Sequence, residues 1–355
     1  MTNLVQSQSS TLTGVNNDNL MLDVKNLQLY FPITQGVFAR VQGYTKAADD
    51  VSFFIRQGET VGLVGESGCG KTTVGRCIVR AYEPTGGEII YHRADGTTVD
   101  LAKLQGDELK PYRRDIRLIF QDPYFSLNPR MTVFEIVSEV LKVNKLATPA
   151  EMKDRVVALL QRVGLRPEYM QRYPHAFSGG ERQRISIARS LITSPRMVVC
   201  DEAVSALDVS IRAQILNLLE ELQADFNLTY LFISHDLSVI HHICDRIVVM
   251  YVGKVVEIAD ATELFVNPRH PYTEALLSAV PITNPRDRQA VGRIRLEGEI
   301  ADPSNPPTGC YFHPRCKYAQ ERCKTETPPL RNLENEHFVA CHFSEELELT
   351  NVQLR

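Results

Sequence analysis

The eight residues Gly65-Glu66-Ser67-Gly68-Cys69-Gly70-Lys71-Thr72 fit the spacing G-x-x-x-x-G-K-[ST] of a phosphate-binding loop. The context is the one that spacing requires. Thr60–Val64 before it is a short apolar run with strand character, and Lys71 to Tyr82 after it carries helical spacing until Pro84-Thr85-Gly86-Gly87 stops it. Gly65, Gly68 and Gly70 let the backbone curl so that successive N–H groups face inward, and the helix N-terminus adds partial positive charge at the same spot. Lys71 is expected to neutralise the β- and γ-phosphates, the Thr72 hydroxyl to ligate Mg²⁺, and Ser67 and Thr73 to lie in the same nucleotide site.

Downstream, Met197-Val198-Val199-Cys200 is an apolar strand that ends in Asp201-Glu202. A buried strand ending this way can bring one carboxylate to Mg²⁺ while the next orients or deprotonates an attacking water. Solvated acids at an exposed strand end are the alternative. Leu22, Val24, Leu27 and Leu29 mark a half-buried strand, and Val51–Ile55, Ile116–Phe120, Thr229–Ile233 and Ile247–Tyr251 mark others. Helical spacing dominates Val133 to Gly164, clearest at Val156, Leu159, Leu160 and Val163, and returns at Ile211–Ala224. This alternation predicts an α/β fold with a mostly parallel sheet covered on both faces, interrupted by a helical insertion near 125–175.

The composition narrows the class. The chain has 355 residues, of which 43% are apolar, and 39 Lys and Arg face 43 Asp and Glu for a net charge of −4. That balance argues against gripping nucleic acid by bulk charge. No run reaches 18 consecutive apolar residues, so the chain is not expected to span a membrane. Residues 1–20 lack Lys, Arg and an apolar block, so they read as a flexible tail rather than a secretory signal. Pro281, Pro285, Pro303, Pro306 and Pro307 suggest a linker leading to Cys310, Cys316, Cys323 and Cys341, which sit within 32 residues. In a reducing compartment that cluster favours a metal site over disulfides. Cys69, Cys77, Cys200 and Cys244 read as small buried hydrophobes.

Phe177-Ser178-Gly179-Gly180-Glu181-Arg182-Gln183-Arg184 is locally a capping box, with Ser178 at the helix start and Glu181 reaching back. Its glycines at a helix N-terminus also make a possible anion site. The segment resembles the signature of ATP-binding cassette (ABC) ATPases. Gln121 resembles the Q-loop glutamine, Ser205-Ala206-Leu207-Asp208 the D-loop, and His235 after Tyr230-Leu231-Phe232-Ile233-Ser234 the switch histidine. Six motifs stand in the family's order across roughly residues 21–260. The resemblance implies a RecA-like P-loop core with a helical subdomain at about 123–177. It also implies cassettes paired head to tail, with Ser178, Gly179, Gly180 and Asp208 closing over ATP on the partner's phosphate loop. Glu202, His235 and Gln121 would be catalytic, and Thr72, Gln121 and Asp201 would serve Mg²⁺. Phe31 is the candidate adenine-stacking aromatic, with Tyr30 and Tyr44 as rivals. Ala203 departs from the family, which usually has Pro there; a modest loosening of the turn is expected.

Asn267-Pro268-Arg269-His270-Pro271-Tyr272-Thr273 is on local grounds a proline-punctuated loop entering a helix. It also resembles a stretch of the ATPase subunits of oligopeptide/dipeptide and nickel importers, as does Thr308-Gly309-Cys310 through Cys341-His342-Phe343. The nucleotide-binding domain is then expected over 21–280, followed by a linker and a small Cys-rich, metal-binding C-terminal extension over 281–355. The cysteine spacings of x5, x6 and x17 suit a [4Fe-4S] cluster, which the resemblance favours, or zinc, for which His313 or His342 could replace a thiolate. The resemblance implies an ATP-hydrolysing importer subunit on the cytoplasmic face of the inner membrane. Its partners would be a second, paralogous cassette, two transmembrane permease subunits and an extracytoplasmic substrate-binding protein, and not nucleic acid. Oligopeptides or dipeptides are the leading cargo, with nickel, glutathione and oligosaccharides open. A soluble ABC ATPase acting on ribosomes or DNA is the competing class.

Overall fold

In a computed structural model, the structure describes residues 12, 19–35, 40–280 and 294–350, excepting the side chains of Pro123 and Phe125. Most of the expected N-terminal tail, and the linker prolines Pro281 and Pro285, lie outside the described residues. Strands β1 (Leu20–Gln35), β2 (Arg40–Arg56) and β3 (Thr60–Val64) precede helix α1 (Lys71–Ile78), and β4 (Gly86–His92) and β5 (Thr98–Asp100) follow. Next come α2 (Lys110–Asp115), β6 (Ile116–Ile119), α3 (Pro123–Ser126), α4 (Val133–Val143), α5 (Pro149–Arg162) and α6 (Gly179–Leu191). Then β7 (Met197–Asp201), α7 (Val209–Phe226), β8 (Thr229–Ile233), α8 (Leu237–Ile243), β9 (Arg246–Tyr251) and β10 (Lys254–Asp260) alternate. Helices α9 (Ala261–Val266), α10 (Pro271–Ser278) and α11 (Glu321–Thr325) and the two-residue strands β11 (Arg331–Asn332) and β12 (Phe338–Val339) complete the chain. They form two compact units: residues 1–56, 61–104 and 237–355, and residues 57–60 and 105–236.

In the first unit, β3 runs parallel to β9, and β10, β12 and β11 extend from β9 antiparallel. All five residues of β3 and all six of β9 are buried, as expected for strands covered on both faces. A separate antiparallel sheet, in the order β2-β1-β4-β5, corrects the expectation of one mostly parallel sheet. Hairpin partners need no helical crossover, so β4 and β5 give no β-α-β alternation to read. The spacing Leu22, Val24, Leu27, Leu29 breaks its own alternation once, and one of the several register shifts along the β1–β2 pairing falls there, between Val24 and Leu27. There Asn26 (φ 48°) and Asp50 (φ 68°) face each other, Asn26 Nδ2 donating to Asp50 Oδ1 at 2.5 Å.

In the second unit, β6, β7 and β8 are parallel neighbours, and every residue of β7 and β8 is buried. The long helical pattern resolves into α4 and α5, split where Thr148 opens a new capping box with Glu151. Thr132 with Glu135 opens α4 the same way, and Ser178 with Glu181 opens α6 as the sequence indicates. Helix α6 ties the insertion down: Arg184 Nη1 donates to the Val163 carbonyl at the end of α5 at 2.6 Å, and Arg189 Nη1 to the Ser126 carbonyl at 2.6 Å. Val156, Leu160 and Val163 are fully buried beneath. Among the described residues, no helix is long and apolar enough to cross a membrane.

Replacing Thr148 by Ala removes the oxygen that accepts from Glu151 N and should cost about 1 kcal/mol of stability. Chemical denaturation of the two proteins checks this; equal midpoints would mean the cap contributes nothing.

Candidate nucleotide site

The phosphate loop links β3 to α1, entirely within the first unit. Its glycines are imposed by space as well as by dihedral angle. Gly65 has φ 148°, and a Cβ there would lie 2.2 Å from the Met250 carbonyl oxygen; Gly70 has φ 103°, and a Cβ there would lie 2.0 Å from the Ala47 carbonyl oxygen. Only glycine fits either position. Gly70 caps α1 with no side-chain hydrogen bond, as suits a helix N-terminus that receives an anion. The Lys71 ammonium is buried and curls back over the loop, donating to the carbonyls of Gly65 at 2.7 Å and Glu66 at 3.0 Å. Gly68 (φ 81°) has open space around it, and Ser67 is exposed. Thr72 and Thr73 lie in the first turn of α1.

Two supports of the loop were not legible in the motif. The Glu66 N–H donates to the Tyr272 hydroxyl at 2.8 Å, and the Glu66 carboxylate is gripped by Arg315. Tyr272 belongs to α10, which His270 caps and Pro271 opens, as the local proline reading expects. Burial pushes the His270 imidazole down to about 3, so it is neutral and accepts from Tyr272 N.

Of the aromatic candidates, the Tyr30 hydroxyl is committed to Asp49 at 2.5 Å. Phe31 and Tyr44 keep exposed rings, Phe31 meeting Tyr82 edge to face with centroids 5.7 Å apart.

The second unit gathers Gln121, Glu202 and His235. Gln121 Nε2 donates to Glu202 Oε2 at 2.7 Å, and His235 Nδ1 lies 3.3 Å from Glu202 Oε1. Asp201 is buried at the end of β7, paired in register with Ile233. The backbone turns out of the strand at Glu202, whose φ of 49° is unusual for a residue with a side chain, and Glu202 N donates to the Ile233 carbonyl. With Ala203 in place of the family's proline, the turn is closed by Ser205, whose N–H and hydroxyl both donate to the Glu202 carbonyl. A carboxylate held between an amide and an imidazole can orient and deprotonate a water.

Ser178, Gly179 and Gly180 form the N-terminal turn of α6. Asp208 caps α7, accepting from Ile211 N and the Ser210 hydroxyl, and the Ile211 N–H, foremost, holds its carboxyl below the usual range.

Cys310, Cys316, Cys323 and Cys341 line one cavity with no carboxylate on its wall. Among the described residues, however, no group of three or more His, Cys, Asp or Glu stands where it could hold a metal ion, so the metal site expected in the extension is not seen there. Burial pushes the Cys310 thiol up to about 12 and Cys316 to about 11. The candidate histidines are engaged elsewhere: His313 Nδ1 with the Cys310 carbonyl at 2.9 Å and His342 Nε2 with the Glu326 carbonyl at 3.0 Å.

Residues 48–205 match the ABC transporter family, and residues 256–323 match the C-terminal region of oligopeptide/dipeptide transporters. The chain is 51% identical over 326 residues to the oligopeptide transport ATP-binding protein AppF of Bacillus subtilis, covering 92% of this chain and 98% of that protein. It is 47% identical over 334 residues to the oligopeptide transport ATP-binding protein OppF of Haemophilus influenzae, covering 93% and 99%. Among solved structures, it is similar to the dimeric ATP-binding cassette MJ0796 in a post-hydrolysis state bound to ADP and Pi. The TM-score is 0.59 at 28% identity, covering 68% of this chain and 99% of that one.

Proposed function

The chain belongs to the ATP-binding subunits of oligopeptide/dipeptide ABC importers, and from that premise we propose how its residues divide the work of ATP-driven import. The observation that carries the proposal is the Gln121–Glu202–His235 cluster beside the end of a buried strand, in a chain that also carries the glycine-shaped phosphate loop. The loop N–H groups and Lys71 bind the β- and γ-phosphates, Thr72, Asp201 and Gln121 serve Mg²⁺, and Glu202 activates the attacking water. Mg²⁺ fits this donor set of one hydroxyl, one carboxylate and one amide oxygen, and when bound it neutralises charge developing on the phosphates. His235 positions Glu202 and contacts the γ-phosphate. Ser178, Gly179, Gly180 and Asp208 serve the ATP of a partner cassette, and Phe31 stacks on adenine.

The cassette occupies 21–280 and the extension 281–355. The helical insertion around Pro123–Tyr173 and the Gln121 loop dock two membrane permease subunits, with the chain at the cytoplasmic face of the membrane. An extracytoplasmic binding protein delivers the peptide, and the partner cassette is a paralogue. ATP binds the closed cassette pair more tightly than the open one, so binding drives closure and hydrolysis resets it. The match of 256–323 to oligopeptide/dipeptide transporters favours this reading over a ribosome- or DNA-acting ATPase.

We further propose that the four thiols hold a [4Fe-4S] cluster, with zinc as runner-up and a structural role. The donor set fits by chemistry: four cysteines on one cavity wall, without a carboxylate, suit a soft metal.

Glu202→Gln should bind ATP as the wild type does while turnover falls at least ~10²-fold, read by phosphate release and by nucleotide binding. Wild-type turnover would remove Glu202 from the role of base. Replacing all four extension cysteines by Ser should abolish bound iron or zinc in the purified protein, measured by elemental analysis; unchanged metal content would sink the cluster.

A further inference from the structure

Glu66 sets a carboxylate inside a loop that must receive a polyanion. At an effective dielectric near 20, an unpaired charge in such a loop would weaken triphosphate binding by about tenfold or more. The structure shows it paired. Arg315 Nη1 and Nη2 donate to Glu66 Oε2 and Oε1 at 2.7 and 3.1 Å, in the two-pronged geometry that suits a guanidinium to a carboxylate. Only 7% of the Arg315 side chain is exposed, and Nη1 also reaches the Tyr251 hydroxyl at 3.5 Å.

The rest of Glu66 is equally constrained. Its N–H donates to Tyr272 and its carbonyl accepts from Lys71, so a shift of this residue would move the lysine that meets the phosphates. Arg315 in turn ends a short turn in which its N–H donates to the Phe312 carbonyl at 3.0 Å. The Phe312 ring is buried between Tyr251 and Tyr272, with centroids 5.2 and 5.3 Å away. The pair joins positions 249 residues apart, and Arg315 immediately precedes Cys316.

We propose that Arg315 is a positioning residue for ATP: it cancels the charge of Glu66 and fixes the phosphate loop, so that nucleotide affinity depends on the C-terminal extension. The inference rests on ATP binding at this loop, and the wild-type titration tests that separately.

The experiment is equilibrium binding of MgATP to the full chain, together with steady-state hydrolysis. Arg315→Ala should raise the dissociation constant about tenfold and act on KM rather than kcat. Raising the salt to 0.5 M should shrink the penalty, because exposed parts of the repulsion are screened. Adding Glu66→Gln to Arg315→Ala should recover most of the lost affinity, which a merely structural role of Arg315 would not allow. If Arg315→Ala does not fold, the double variant Glu66→Gln/Arg315→Gln carries the test. That variant keeps a hydrogen-bonding pair without charge and should bind within about threefold of the wild type. Wild-type affinity in Arg315→Ala, failure of Glu66→Gln to restore it, or a loss well beyond threefold in the folded neutral pair would each overturn the proposal. A wild-type chain that does not bind MgATP would instead refute the nucleotide reading itself.

Discussion

Everything in this molecule that bears on nucleotide follows from one constraint: a polyanion must be met by bare backbone N–H groups at the start of a helix. Such groups are available only where no side chain caps the helix and the chain can curl tightly. Gly70 supplies the first condition, and the carbonyls of Met250 and Ala47, pressed against Gly65 and Gly70, enforce the second. The buried β3 and β9 strands set the loop's base, and residues from α10 and the extension hold its second residue.

The same separation of duties recurs in the second unit, where a fully buried strand delivers acids to its end. Cross-strand pairing carries β7 as far as Asp201, and the chain then turns at Glu202 through a backbone conformation that costs on the order of 1 kcal/mol or more. Gln121 and His235 meet the resulting carboxylate from two neighbouring strand ends. Closely spaced acids thus acquire different surroundings: Asp201 is buried, whereas Glu202 is held between an amide and an imidazole.

The phosphate loop, the strand ending in Asp201 and Glu202, and the capping box at Ser178 were legible because phosphate and helix-end chemistry demand fixed residue types at fixed local spacing. The bulge at Asn26 left a trace in the sequence, as two residues where one was due between Val24 and Leu27. What was not legible depends on partners far apart in the chain. The antiparallel sheet gave no β-α-β alternation of elements, since pairing between β1, β2 and β4 builds it rather than crossover helices. Arg315 is one charge among many until its distance from Glu66 is known. The cysteine spacing pointed to a metal site; the four residues line one cavity, but among the described residues no group stands where it could hold a metal ion.

The central claim, that this chain is the ATP-hydrolysing subunit of a peptide importer, is tested most directly by isolating it from its native membranes in mild detergent and identifying what accompanies it by mass spectrometry. The account predicts two polytopic membrane proteins, a related cassette and an extracytoplasmic peptide-binding protein. Recovery of ribosomal or DNA-repair proteins with no membrane partner would contradict it and leave only the ATPase chemistry standing.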